Sequence, residues 1–359
     1  MSSGMPGGVP TVPPGLPSYI ALHDSGELAR RAELAWWALE HCELCPHRCG
    51  VNRLAGERGR CRSGAQPKVS SANLHPWEEP PVSGTRGSGT VFFAGCTGRC
   101  RFCQNYPISQ MGVGQEATVE RLAGLMLGLQ GKGAHNINLV TPTHWVAAIL
   151  AALPLAIEGG LRVPLLYNTS GFERVETVRL LDGVIDIWLP DAKYADDEVA
   201  QRLSGFPGYV SSNRAALLEM YRQVGDTLTL DSEGIAWRGM VIRHLVLPEG
   251  LAGTPKVLQW IAQNLSSRVH VSLMDQYFPA YECVQDPILG RKITPDEYAA
   301  AFEALDAAGL EEGWVQEHDD CLVESPEEEP GEGSGERSEE RSTKRLEEGG
   351  ECCEPEAIA

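Results

Sequence analysis

Six short apolar runs rich in β-branched residues alternate with helical patterns between residues 90 and 274, and that alternation restricts the fold more than any other feature. The runs are TVFFA (90–94), NINLV (136–140), VPLLYN (163–168), VIDIWL (184–189), MVIRHLVL (240–247) and RVHVSLM (268–274). Between them stand VERLAGLMLGLQ, HWVAAILAAL, ERVETVRLLD, NRAALLEMYRQV and KVLQWIAQNL. Strands that read as near-continuous apolar runs and alternate with helices predict a parallel sheet buried on both faces. Six such units fit a curved or partly closed α/β barrel. Parallel strands place active sites at their C-terminal ends, so the polar residues just after each run are the first candidates.

Four segments follow from composition. Residues 1–24 read as a Pro/Gly-rich disordered leader, with neither the basic start nor the hydrophobic run of a secretion signal. Residues 25–75 hold a helix over Glu27 to His41, with Leu28, Leu34, Trp37 and Leu39 available for burial, and a four-cysteine module. The Pro/Gly/Ser stretch NLHPWEEPPVSGTRGSG links it to a core spanning 76–323, which a helix from Pro295 to Ala308 completes. Residues 324–359 read as a disordered tail whose 4 basic and 13 acidic residues carry nearly half of the chain's net charge of −19. That balance argues against a sequence-blind grip on nucleic acid. The longest apolar run, Trp145 to Ile157, has 13 residues and contains Pro154, short of the roughly 20 that span a membrane. A cytoplasmic location follows, and in a reducing compartment the eleven cysteines read as metal ligands sooner than as disulfides.

The first strand runs directly into Cys96, Cys100 and Cys103, spaced C-x3-C-x2-C. Three thiolates on one tight loop suit three irons of a four-iron cluster whose fourth iron has no protein ligand. A zinc loop with a distant fourth ligand, or cysteines that bind nothing, are the plainer readings. A second set, Cys42, Cys45, Cys49 and Cys61, has four cysteines within twenty residues. It can close a zinc site or hold an auxiliary iron–sulfur cluster, with His47 able to replace one ligand. Cys283 and Cys321 are isolated and read as packing residues, and the adjacent Cys352 and Cys353 are assigned no role. Gly84, Gly87 and Gly89 precede a strand, the wrong order for a dinucleotide loop, and Trp36, Trp37 and Trp188 fit core packing.

Residues 88 to about 285 resemble the radical S-adenosylmethionine (SAM) superfamily, whose C-x3-C-x-aromatic-C hallmark stands here as Cys96, Cys100, Phe102 and Cys103. Within it the chain is similar to the activating enzymes of glycyl radical enzymes, in a subgroup related to pyruvate formate-lyase activating enzyme. The resemblance implies a partial (β/α)6 barrel, a 4Fe-4S cluster and SAM as cofactors, and an oxidoreductase that cleaves SAM to a 5′-deoxyadenosyl radical and abstracts hydrogen from its substrate. It implies as partners a glycyl radical-type protein and a one-electron donor such as a flavodoxin or ferredoxin. It places SAM contacts at strand ends: Thr141 with Thr143 after the second, Asn168 and Ser170 after the third, Asp191 and Lys193 after the fourth, Arg243 and His244 in the fifth. Alternation along that strand sends Arg243 and His244 to opposite faces, so one of them faces the barrel. Gln276 or Tyr277 after the sixth could face substrate. Two other readings stand beside activation of a partner protein: a radical SAM enzyme acting on a small molecule or peptide, and an iron–sulfur redox sensor that does not turn SAM over.

Overall fold

The computed structural model describes residues 15–316, all within the first of the two units into which the chain divides, Met1–His318. The second unit, Asp319–Ala359, lies outside the described residues, as do the expected tail, most of the expected leader, Cys321, Cys352 and Cys353. Among the described residues there are ten strands: β1 (Lys68–His75), β2 (Ser88–Phe93), β3 (Gln115–Glu116), β4 (Ile137–Val140), β5 (Leu165–Thr169), β6 (Ile187–Pro190), β7 (Thr229–Leu230), β8 (Ala236–Leu245), β9 (His270–Met274) and β10 (Gly313–Val315).

The spatial order is β10-β9-β8-β6-β5-β4-β2-β1-β3, with β7 paired to β8. From β2 through β10 the neighbours on this path are parallel. Chain order equals spatial order throughout that stretch. Each crossover therefore advances in the same direction, and right-handed crossovers then put their helices on one face. The six expected strands are all present, and the mixed α/β fold is built on one large, mostly parallel sheet.

Alternation along each strand separates two apolar clusters. Tyr167, Trp188, Ile242, Val271 and Leu273 belong to the larger one, shared with the helices Val119–Gly131, Val146–Glu158, Tyr209–Val224 and Thr254–Asn264. Leu166, Ile187, Leu189 and Val241 point the other way and pack on Val82. Val82 comes from a short helix, Pro80–Ser83, that plugs the inner face. Two asparagines at β4 hold the plug. Asn136 donates to the Val82 carbonyl at 2.8 Å and Asn138 to the Glu78 carboxylate at 2.9 Å.

Several expectations need correction. The stretch expected to be a linker ends an antiparallel strand of the main sheet, since β1 pairs with β2, and then folds inside as the plug. Turn-forming composition marks where the chain bends but not what the bend packs against. The leader's last residues form a helix, Tyr19–Asp24, anchored where Ser18 donates its amide and hydroxyl to Asp186 at 2.9 and 2.8 Å. The helix from Glu27 stops at Trp37, leaving Leu34 and Trp37 (61% exposed) in solvent while Leu28 and Leu39 are buried. Trp188 is fully buried and Trp36 packs against the core. No helix among the described residues is long and apolar enough to cross a membrane.

Candidate active site

A cavity of about 550 Å³ opens at the C-terminal ends of the parallel strands, the position that parallel topology favours and within the range of small-molecule sites. Each strand end contributes to it. Phe92 and the following loop bring Cys100, Phe102 and Cys103; β4 brings Val140 and Thr141; β5 brings Asn168; β6 brings Asp191 and Lys193; β8 brings Arg243; and β9 brings Ser272, Met274 and Gln276. The rim carries His75 and Trp77, the latter 83% exposed.

The Cys96 loop is tightly constrained. Gly98 donates its amide to Cys96 Sγ at 3.2 Å, Cys103 Sγ lies 3.1 Å from Ser109 Oγ, and the Arg99 and Arg101 amides donate to the Ser204 and Leu203 carbonyls. Burial pushes the Cys96 thiol up to about 12 and the Cys100 thiol up to about 11. Thr97 Oγ1 is buried without a hydrogen-bond partner among the described residues. Phe102 meets Tyr277 edge-on at 5.7 Å, and Tyr277 turns its hydroxyl away to the Leu289 carbonyl. Cys283 is buried, as a packing residue would be.

Asp191 and Lys193 pair with each other, Oδ2 to Nζ, at 2.7 Å. Burial, the largest single influence, disfavours the Lys193 charge, but Asp191 together with Cys100 and Cys103 outweighs it and holds the pKa above the ordinary value. One helix fixes both neighbouring strand ends. Tyr209 donates its hydroxyl to the Ser170 carbonyl and accepts the Lys193 amide, both at 2.9 Å, while Asn213 donates to the Asp191 and Gly171 carbonyls at 2.9 and 3.1 Å. Gly171 makes this approach possible: at φ +71 a Cβ would stand 2.1 Å from the Asp191 carbonyl oxygen.

Arg243 faces the cavity and His244 does not, as strand alternation requires. The expected ligand role of His244 is not supported. Its ring is buried on the far face, bonded to the Ala192 carbonyl at 2.6 Å and Thr254 Oγ1 at 2.9 Å, and burial lowers its pKa to about 4. Ser170 is likewise absent from the cavity wall, its carbonyl taken by Tyr209. Arg243 is itself engaged: Glu79 accepts from Nε at 2.7 Å and from Nη2 at 2.6 Å, and Glu78 accepts from Nη2 as well. Burial opposes ionisation of Glu79, yet Arg243 outweighs it and lowers the carboxyl's pKa. Glu78 and Glu79 are missed by strand-end reasoning because they arrive from the plug.

Thr141 adopts φ +56, a region that a β-branched residue enters only under strain, and such strain gathers at functional turns. Behind it lies Glu173, another residue that the sequence pattern does not single out. Thr143 and Thr169 each donate a hydroxyl to Glu173 Oε1 at 2.5 Å, so Thr143 is buried beneath the cavity floor instead of lining it. Burial raises the Glu173 carboxyl from 4.5 to about 7. Between those values the folded state binds more protons than the unfolded state, so stability falls as pH rises through that window. At about 1.4 kcal/mol per pKa unit the fall approaches ~3 kcal/mol. Thermal unfolding of Glu173→Gln, which cannot ionise, should lack it; identical pH profiles for variant and wild type would refute the assignment.

The second cysteine set encircles a small void. Cys42, Cys45, Cys49 and Cys61 line it together with Arg53 and His144. His47 is not among its walls. Its Nε2 bonds the Thr97 carbonyl at 2.8 Å and its ring packs on Phe172, so it is not placed to replace a ligand. Among the described residues, no group of three or more His, Cys, Asp or Glu side chains is set to hold a metal ion. A single tetrahedral ion holds its sulfurs about 2.3 Å from one point. A multi-iron cluster asks for wider spacing, because each thiolate binds a different iron.

No protein-family model matches the chain. An uncharacterized protein of Methanocaldococcus jannaschii, MJ0674, is 31% identical over 291 residues, 78% of this chain and 79% of its own. Among solved structures, the FeFe-hydrogenase maturase HydG from Carboxydothermus hydrogenoformans is similar with a TM-score of 0.43 at 14% identity, over 61% of this chain and 50% of that one. A second structure of HydG, a maturase of the FeFe-hydrogenase, gives 0.43 at 12% identity over 61% and 49%. The match thus spans about half the length of those maturases.

Proposed function

The chain belongs to the family of the Methanocaldococcus jannaschii protein MJ0674, and on the geometry of its cavity we propose that it is a radical SAM enzyme. The observation that carries the reading is the placement of Cys100, Phe102 and Cys103 in one cavity with Thr141, Asn168, Asp191, Lys193 and Arg243. Residues far apart in sequence, selected from the sequence for one chemistry, meet at one place. Cys96, Cys100 and Cys103 would hold the cluster. They are soft donors on a single loop. With SAM bound, the cluster supplies one-electron cleavage of the sulfonium and a 5′-deoxyadenosyl radical.

The chain's own residues bind, orient and exclude water. Asn168 and Thr141 offer an amide and a hydroxyl on the cavity floor. The Asp191–Lys193 pair presents a carboxylate and an ammonium side by side, suited to a zwitterionic amino acid group. Phe102, Val140 and Met274 supply apolar wall. Arg243, held on one side by Glu78 and Glu79, is fixed in direction and shapes the cavity near β8. The substrate reading is hydrogen abstraction from a glycyl residue of a partner protein, and the open rim around Trp77 suits entry of a loop from such a partner.

The test is anaerobic reconstitution with iron and sulfide, reduction, and assay of 5′-deoxyadenosine after adding SAM. Product is expected. A fully loaded, fully reduced protein that forms none, with or without glycyl radical-type proteins, would return the chain to the redox-sensor reading. A substrate glycine deuterated at Cα should transfer its label to 5′-deoxyadenosine; label taken instead from a small metabolite would replace the protein substrate.

A further inference from the structure

We propose that a hollow behind the Cys96 loop binds a phosphate group, held by Arg58, Arg62 and Lys68. The inference stands apart from SAM cleavage, and its test needs no metal in the protein.

The hollow has about 170 Å³ of space, more than ten times the roughly 10–15 Å³ that one water requires. Sites for whole small molecules begin near ~300 Å³, so this one suits a single charged group. Its lining includes Ser63, Gln110 and Trp145, all buried, and Arg58, Arg62 and Gln66, all exposed. Lys68, half-buried, joins them from the start of β1. Glu116 is the one acid among the lining residues, so three cations meet a single carboxylate. In a chain of net charge −19, that local excess runs against the rest of the molecule.

The cations are not spent on acids. Lys68 donates from Nζ to the Gly112 carbonyl at 2.6 Å, and Arg62 from Nη1 to the Gln110 carbonyl at 3.4 Å. Among the described residues neither of them, nor Arg58, forms an ion pair. Like charges are crowded nearby: burial first, then Arg62 and more weakly Arg60, lowers the pKa of Arg99.

Backbone donors add to the side chains. The amides of Ser63, Gly64, Ala65 and Gln66 meet no backbone acceptor among the described residues, and Ser63, Gly64 and Gln66 line the hollow. Arg62, just before this run, sits at φ +59, a left-handed conformation that is costly for a residue with a side chain and recurs at ligand clamps. Successive free amides beside a left-handed residue form an anion-binding concavity. Arginine forks match phosphate oxygens in pairs, and lysine adds a point charge.

The hollow shares no lining residue with the strand-end cavity. Gly95 and Ser109 are on its wall, so it backs onto the Cys96 loop from another side. Ser109 Oγ lies 3.1 Å from Cys103 Sγ and accepts from Gln110 Nε2 at 3.1 Å. Met111, 69% exposed, also lines the hollow and offers an apolar rest for the organic part of a phosphate ester.

The experiment is isothermal titration of the full chain at low ionic strength, with inorganic phosphate and with phenyl phosphate. One saturable site is expected for each. Arg58→Gln combined with Arg62→Gln should weaken both by at least roughly 10-fold. Lys132→Gln combined with Lys256→Gln removes the same charge from exposed positions elsewhere and should leave binding unchanged. Melting temperatures without phosphate check that the variants fold; if the arginine pair does not, Arg58→Gln alone makes the comparison. Tighter binding of phenyl phosphate would make the occupant an organic phosphate resting on Met111, and equal binding would make it the free ion. No saturable binding up to roughly 10 mM phosphate, or equal weakening by the two double variants, would overturn the site.

Discussion

Cys100→Ala is expected to stop formation of 5′-deoxyadenosine, by at least roughly 10³-fold, the scale on which loss of an essential catalytic group is felt. Cys100 faces the cavity while packing against the core, and replacing the thiol by a methyl group removes one heavy atom, so the variant should lose little thermal stability. Its iron should fall by about four per chain relative to wild type. Reading iron, product and melting temperature from one sample separates the causes. A variant that cleaves SAM at the wild-type rate would remove the Cys96 loop from the mechanism.

Arg243→Met should produce the largest stability change. The substitution keeps much of the side-chain length but strands the Glu78 and Glu79 carboxylates, whose side chains are 7% and 5% exposed. Removing one partner of such a buried group costs roughly 3–5 kcal/mol, because the remaining charges have no compensation. The sign of the pH dependence follows from the lowered pKa of Glu79. Its contribution is present above the unfolded carboxyl value of 4.5 and is lost as pH falls through the lower, folded value. The penalty of Arg243→Met should therefore be full at neutral pH and shrink in acid, where the stranded Glu79 carboxyl takes up a proton. Adding Glu78→Gln and Glu79→Gln should recover much of it. Denaturant midpoints of the single and triple variants decide the matter; a single variant as stable as wild type at pH 7 would show that the pairing contributes nothing.

The strands were legible because their signal is local: each of the six runs carries its own apolar continuity and lies between helical patterns. The Cys96 loop and the cavity residues were legible for a related reason. Parallel topology points to strand ends, and the family resemblance singled out Asn168, Asp191 and Lys193 there, with Arg243 or His244 in the fifth strand. What stayed hidden depends on partners distant in the chain. Glu79 meets Arg243 across 164 positions, and nothing near residues 73–89 distinguishes a plug from a linker. Glu173 is an ordinary glutamate at the start of a helical pattern until Thr143 and Thr169 surround it. Edge strand β10, with three residues, is too short to carry a pattern. His244 was misassigned for the opposite reason: residue type suggested chemistry, and burial on the helix side assigns it to packing.

The plug has a consequence for biosynthesis. Residues 78–83 leave the ribosome long before β8, yet Val82 packs against Leu189 and Val241, and Glu79 pairs with Arg243. At roughly 5–20 residues per second, translation of the intervening 164 positions takes about 10–30 s. Throughout that interval the nascent chain displays a proline-rich apolar turn beside two unpaired acids. The substrate cavity cannot take its final form until β8 has emerged, because its wall joins a segment made early to strands made much later.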